Sequence, residues 1–530
     1  MPRRLRSPRF AYIAVFSLGV TLLLIGAFQP NIWYDESYSV ALARWDWADI
    51  WCLDTLDVHP PLYYLLLHAV RLIFGDSILA YRLFSIAGMV ATATLGPTLV
   101  RRLWGDAEGL VFSALILLLP NMQHMAWQIR MYSWTVFAAT LCFLLTVRIA
   151  RAAREGERTT LRAWVMFAGA SLACAYLHYY GTITAFLVNA GLLVQLLRAR
   201  RGGVRAFAVQ AMAQVALFLP WLLTLASQIR HVSSGYWITF SFPGSLLDII
   251  FLPFKTDQLW QDDDIRTALL VVLVAAGGLL LVHRFRHCDA WREAALHADE
   301  AGHPFDRATV VFGIAIYLGT IAIVGAASLA MGRVVLMYRY LVIPLGLLCV
   351  AAALGLSRLG RLVAYGGGSL RPARLGLRVT GVGFLIACVG IWGAVVAALF
   401  DPMTAASVAA VHAVRDNGAT ILTDSGRVGG ILAALEPHER IVYLDFTKDA
   451  WWEPGVRRAY GDAVRSVDSW GEAFDQMGER ALFISDRDTP HAAWDLTREL
   501  EAVGLHVERT ERILRPYDRV TWTLLTCARS

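Results

Sequence analysis

Apolar residues gather in long runs near positions 10–28, 77–99, 107–126, 131–150, 163–180, 182–197, 206–226, 266–283, 309–329, 335–356 and 379–400. A helix needs about 20 apolar residues to cross the hydrocarbon core of a bilayer, so the pattern predicts eleven membrane-spanning helices. Only "LHYYG" separates the two runs within 163–197, so whether both are full spans stays open here. The first run follows "MPRRLRSPRF" as a signal peptide would, yet "QPNIWYDE" runs straight on with no small-residue cleavage site. An uncleaved first span is the expectation.

The polar interruptions carry direction. The clusters "PRRLRSPR", "RRLWGD", "RAAREGERTTLR", "RARRGGVR", "HRFRHCDAWRE" and "SRLGRLVAYGGGSLRPARLGLR" fall after alternate runs, all on one face. Cytoplasmic loops hold the Lys/Arg excess, so the N-terminus is expected in the cytoplasm. The loop 31–75, "NMQHMAWQIR", "HYYG", residues 227–264, the "GRVV" turn and everything after 400 are then extracytoplasmic. After Asp401 short apolar segments alternate with helical ones. "ATILTD", "RIVYLD" and "RALFISD" read as buried strands, "GRVGGILAALE" and "HAAWDLTRELEAVG" as helices, and "HVERTERIL" and "RVTWTLLTCA" as closing strands. Strands alternating with helices predict a small α/β domain with a mainly parallel sheet. The fold class expected is a polytopic α-helical membrane protein, residues 1–400, with a C-terminal extracytoplasmic α/β domain, residues 401–530. No internal repeat of fixed period is visible.

Composition supports this and removes other classes. The 530 residues are 57% hydrophobic and 17% charged, against roughly 25% charged in soluble domains; the mean hydropathy is +0.51. The net charge of +6 sits in the orientation clusters, so nucleic acid is not an expected partner. The β-α turns after 400 contain no G-x-G-x-x-G, and nothing supports a dinucleotide site. The seven cysteines show no C-x-x-C spacing, and most fall inside apolar runs, where they read as small buried hydrophobes.

The stretch "NIWYDESYSVALARWDWADIWCLDTLDVHPPLYYLLLH", 31–68, combines acids with aromatics directly after the first span. Burial and mutual repulsion can push the pKa values of adjacent carboxylates such as Asp35 and Glu36 apart, leaving one as a general base. A lone Asp-Glu pair is more often a solvated loop start, but here Trp33, Tyr34, Tyr38, Trp45, Trp47 and Trp51 surround it. Such aromatics sit at membrane interfaces, and "SVALARWDWADIW" is expected as an amphipathic helix lying there. Pro60 and Pro61 end any preceding helix and fix Asp57 and His59. His59 reads three ways: metal ligand, phosphate contact or interface histidine. Arg82, Arg130 and Arg339 lie at the outer ends of spans, against the positive-inside trend, with His178, Tyr179 and Tyr180 between two spans. Each arginine alone reads as snorkelling to headgroups; together they suit bidentate grip on an anionic phosphate.

"WYDESYS", "DVHPPLYYLLLH", "FGDSILAYRLFS", "IRMYS", "HYYG" and "YRYLVIP", in this order over residues 10–356, resemble the GT-C superfamily of integral-membrane glycosyltransferases. The branch they resemble contains the protein O-mannosyltransferases and the bacterial lipid A aminoarabinose and galacturonic acid transferases. The resemblance implies an enzyme of the bacterial inner membrane. It would carry a sugar, with inversion, from a polyprenyl-phosphate donor to a hydroxyl on a glycolipid, polysaccharide or protein. It implies Asp35 as general base, Glu36 as a neighbour that orients donor or acceptor, and Arg82 with Arg339 as a grip on the departing phosphate. Some relatives place a divalent metal near the second acidic position of the first loop, which falls here near Asp57 and His59, with His178. Others work without metal, and both alternatives stand. The residues after 400 match no family motif. Neither the sugar, the acceptor nor the oligomeric state is legible.

Two other classes compete. A secondary transporter or lipid flippase would use the outer acids as an ion site, but transporters show repeats and mid-membrane charges, whereas these charges sit at the outer edge. A non-catalytic envelope scaffold leaves the outer arginines without a purpose.

Overall fold

The computed structural model describes residues 8–52, 59–199, 202–232, 248–256, 276–278, 289–300, 305–332, 335–366, 370–403, 409, 418–435, 441–445, 459–489, 491–515 and 520–529. They fall into two compact units. A transmembrane unit comprises Met1–Leu24, Leu83–Leu223 and Tyr236–Gly393; a loop–sheet unit comprises Ile25–Arg82, Thr224–Gly235 and Ala394–Ser530. The boundary expected at residue 400 is therefore not the only one. Residues 25–82 group with the C-terminal residues.

The first apolar run forms α1 (Pro8–Ala27), and the loop after it holds α2 (Tyr34–Ala43), α3 (Trp47–Trp51) and α4 (Leu62–Phe74). The apolar runs that follow give α5 (Ile78–Trp104), α6 (Asp106–Leu118), α7 (Pro120–Trp127), α8 (Tyr132–Glu155), α9 (Leu161–Leu177), α10 (Tyr179–Ala199) and α11 (Val204–Val232). After α12 (Asp289–Glu300) come α13 (Arg307–Met331), α14 (Val342–Tyr365) and α15 (Arg371–Leu399).

Among the described residues eight helices are long and apolar enough to cross a membrane, or nine if the bent pair α6–α7 is one span. Hydrocarbon offers no hydrogen bonds, so a chain this apolar closes its backbone groups into helices. Two of the eleven expected runs differ, and a third falls almost wholly outside the described residues. The run near 107–126 bends by 58° between α6 and α7, because Pro120 has no N–H to donate and holds Leu119 extended. The run near 163–180 gives α9, only 17 residues, shorter than the roughly 20 a full crossing needs. The run near 266–283 lies outside the described residues except for 276–278.

The interfacial helix also differs from expectation. Two helices replace one, and α2 starts earlier, at Tyr34, so that Asp35 and Glu36 occupy its first turn. Ser37, Ser39, Val40, Ala41, Leu42 and Ala43 are all buried. A helix covered on several sides by protein does not float in an interface, whereas Trp47 and Trp51 beyond it are 49% and 44% exposed.

The C-terminal residues form a six-stranded sheet from β1 (Thr420–Thr423), β2 (Ile441–Leu444), β3 (Val464–Val467), β4 (Arg480–Ser485), β5 (Leu505–Arg515) and β6 (Val520–Arg529). The order is β3-β2-β1-β4-β6-β5. The first four strands pair in parallel, with Ile421 opposite both Ile441 and Leu482. β6 and β5 close the sheet antiparallel, so the mainly parallel α/β domain is as expected. Helices α16 (Gly426–Leu435), α17 (Trp470–Gln476) and α18 (Ala492–Ala502) accompany it. Leu422, Val442, Phe483 and Leu525 from the strands pack with Leu496 and Leu500 of α18 into one core.

Candidate functional site

In the loop–sheet unit the chain leaves α1 through Gln29, Asn31 and Ile32, all buried, and enters α2 at an extended Trp33. The first N–H groups of a helix lack intrahelical partners. Glu36 answers this: its Oε2 accepts from the Trp33 N–H at 3.2 Å, the return half of a capping box. The other carboxylate oxygen, Oε1, lies 3.9 Å from Arg82 Nε. Both side chains are inaccessible, Glu36 at 0% and Arg82 at 1% exposure. Arg82, in the second turn of α5, donates from Nη1 to the Gln29 carbonyl at 2.5 Å and from Nη2 to the Asn31 carbonyl.

Arg82, expected as a phosphate grip, here donates from its terminal nitrogens to backbone carbonyls and braces the entry to α2. Glu36, expected beside the chemistry, is here a fully buried capping and charge partner. Asp35, in the same turn, is half-buried; its carbonyl accepts from Ser39 Oγ at 3.0 Å.

Residues of the sheet domain meet this turn from within the same unit. Tyr460 is hydrogen-bonded to Ser37 at 2.9 Å. Ser37 Oγ gives its own proton to the Tyr34 carbonyl at 2.7 Å, so the phenol is the donor. Burial, and then the neighbouring Tyr34, pushes the Tyr460 phenol well above its usual range, with Asp35 contributing in the same direction. Arg515, fully buried, donates to Asn31 Oδ1 at 2.5 Å and to the Ile32 carbonyl at 3.4 Å, and lies 3.9 Å over the Trp522 ring. Farther along, Arg44 reaches the carbonyls of Ala433 and Ala434 at 2.8 and 3.2 Å and pairs with Asp76 at 2.8 Å. Nothing in the local sequence announces Tyr460, Arg515 or Arg44, because each acts on residues far away along the chain.

In the transmembrane unit His178 is the extended residue that breaks α9 from α10. Its Nδ1 accepts from the Tyr180 N–H at 3.0 Å, so in the neutral ring the proton sits on Nε2. The Tyr340 ring packs 4.6 Å from His178 and 5.2 Å from Tyr180, on the 3₁₀ turn Tyr338–Leu341 that also carries Arg339. Tyr132, two positions past Arg130, lies 6.1 Å from both His178 and Tyr340. The unit thus gathers His178, Tyr180 and the turns bearing Arg130 and Arg339. Arg130 is 3% exposed and Arg339 half-buried. Tyr179 turns elsewhere and accepts from Trp221 Nε1 at 3.1 Å. Lys255 was missed by sequence reasoning. Its buried Nζ pairs with Asp248 at 2.5 Å and lies 3.5 Å over the Tyr338 ring. The available signal was that it is one of only two lysines in the chain.

His59 is buried at 4% exposure just before Pro60 and Pro61, while Asp57 lies outside the described residues. Among the described residues no three His, Cys, Asp or Glu side chains gather as a metal site.

The fold is a polytopic helical bundle with an acidic turn after its first span and a small C-terminal α/β domain. Solved structures with this fold are ArnT from Cupriavidus metallidurans in the apo state and the same protein bound to undecaprenyl phosphate. The chain is 14% identical to each, over 96% of its own length and 97% of theirs, with a TM-score of 0.55. No protein-family model matches the chain, and no curated protein matches it in sequence.

Proposed function

We propose that this protein is an inverting glycosyltransferase that moves a sugar from a polyprenyl-phosphate donor to a hydroxyl acceptor on the extracytoplasmic side of a bacterial inner membrane. The observation that carries the reading is the division of labour in the first turn of α2. Glu36 is fully buried as a structural partner of Arg82 and Trp33, while its neighbour Asp35 is half-buried. In this reading Asp35 takes the acceptor's O–H proton. The acceptor oxygen bonds to the anomeric carbon as the carbon–oxygen bond to phosphate breaks, and the electron pair leaves with polyprenyl phosphate. Arg130 and Arg339 are the candidates to neutralise the charge that develops on the departing phosphate. Binding of undecaprenyl phosphate by the structurally similar ArnT supports the donor class.

The test compares glycolipids and glycans by mass spectrometry in cells carrying the parent chain, no chain, or Asp35→Asn. A positioned base contributes about 10²–10⁴-fold. The variant should accumulate in the membrane while the sugar-bearing product falls by at least about 100-fold. Product at the parental level from Asp35→Asn would remove the proposed base. Transport of an intact substrate with no glycosidic product would favour the transporter.

A further inference from the structure

The residues after 400 have no role so far, although they supply several contacts to α2. Each contact falls at a different point of that helix. Before its N-terminus, Arg515 at the end of β5 holds the Asn31 side chain and the Ile32 carbonyl. In its first turn, Tyr460 donates to Ser37. Past its C-terminus, Arg44 caps the last carbonyls of α16 at Ala433 and Ala434, and Trp45 Nε1 donates to the Ala459 carbonyl at 3.1 Å. Two points fix the axis of a rod, and a third point off the axis fixes its rotation. Rotation about the axis of α2 sets where Asp35 aims, since each residue turns the helix by 100°.

The anchors are stiff. Arg515 is 0% exposed, and its guanidinium is stacked on Trp522, so its planar fork is held before it meets Asn31. Tyr460 is 6% exposed, and burial holds its phenol in the protonated donor form. Gly430 in α16 makes room for that ring, for a Cβ there would lie 2.4 Å from the Tyr460 hydroxyl.

We propose that the C-terminal sheet domain is the positioning element of the Asp35 turn, acting through Arg515 and Tyr460 as positioning residues. This rests on Asp35 being the base. Neither residue touches substrate in this account. Both set the direction of a carboxylate whose misplacement by about 1 Å is worth on the order of 100-fold in rate.

The experiment uses the full-length chain in detergent and in cells, with Arg515→Ala and the milder Tyr460→Phe, which removes one hydroxyl. Hydrogen exchange is read by mass spectrometry on peptides covering 29–43 and, as internal reference, on β1 and β4. Binding of undecaprenyl phosphate is measured alongside product in cells. Exchange over 29–43 should quicken while the reference strands keep their protection. Product should fall by about 10-fold or more, with undecaprenyl phosphate binding unchanged. A purely structural role would instead lose lipid binding and strand protection together. Unchanged exchange over 29–43, or quickened exchange with full product, overturns the proposal. If Arg515→Ala loses the sheet, Tyr460→Phe decides; loss of the sheet in that variant too counts against positioning. Should Asp35→Asn retain product, the base assignment fails, and the exchange arm still reports on whether the domain holds α2.

Discussion

Asp35 and Glu36 are adjacent in sequence, yet Glu36 is fully buried against Arg82 while Asp35 is half-buried. The pair and the arginine were legible in the sequence; their contacts were not. Acids and cations can be located by pattern, whereas which nitrogen meets which carbonyl depends on the path of Gln29–Ile32, and no local signal encodes that path. Charge placement has a second consequence at Asp424, just past β1. Burial pushes its carboxyl up, although Arg487 Nε at 2.7 Å pulls it down. The folded protein therefore holds this proton more tightly than the unfolded chain does. Stability is lost as pH rises from the ordinary carboxylate range through the raised value, and the cost is absent below that range. Between about pH 4 and about pH 7, around and above the usual carboxylate range, the thermal midpoint of Asp424→Asn should fall less than that of the parent. Equal falls in both proteins would show that Asp424 does not titrate in this way.

Among the elements, the long apolar runs were the most legible, because roughly 20 consecutive apolar residues leave few alternatives to a spanning helix. Departures occur where one residue overrides the run, as Pro120 does. In the sheet, β3 escaped notice because it is four residues long and carries Arg465 on an exposed position, so no buried apolar segment marks it. The helix α2 was misread for the opposite reason. Its mixture of Ser, Tyr, Val and Ala reads as amphipathic, but a partner surface exists in α16 that the sequence places hundreds of residues away. The fit between these helices gives a prediction. Gly430→Val adds bulk where even a Cβ meets the buried Tyr460 ring, and overpacking of a tight site costs about 1–3 kcal/mol. A thermal melt in detergent should show a lower midpoint, and proteolysis should open 29–43 first. A melt and cleavage pattern identical to the parent would mean that the ring has room to move.

For the whole molecule, fold class was readable and the assignment of residues 25–82 was not, since a contact between the two ends of a chain leaves no periodic trace. Orientation rests on the arginine clusters and has a direct test. Cys52 is exposed, whereas the other cysteines among the described residues are buried; Cys288, outside them, belongs to an arginine-rich stretch expected inside. A membrane-impermeant maleimide applied to intact spheroplasts should modify Cys52 and spare Cys288, as read by peptide mass spectrometry. The reverse pattern would invert the topology. The bond between Arg515 and Asn31 joins positions 484 apart in the chain. At about 5–20 residues per second, a ribosome takes on the order of half a minute to a minute and a half to go from one to the other. Throughout that interval the newborn loop lacks its anchor. The protein threads into the membrane with its acidic turn unset, and the last strands to emerge complete the first loop. Translation itself then times when the chain matures.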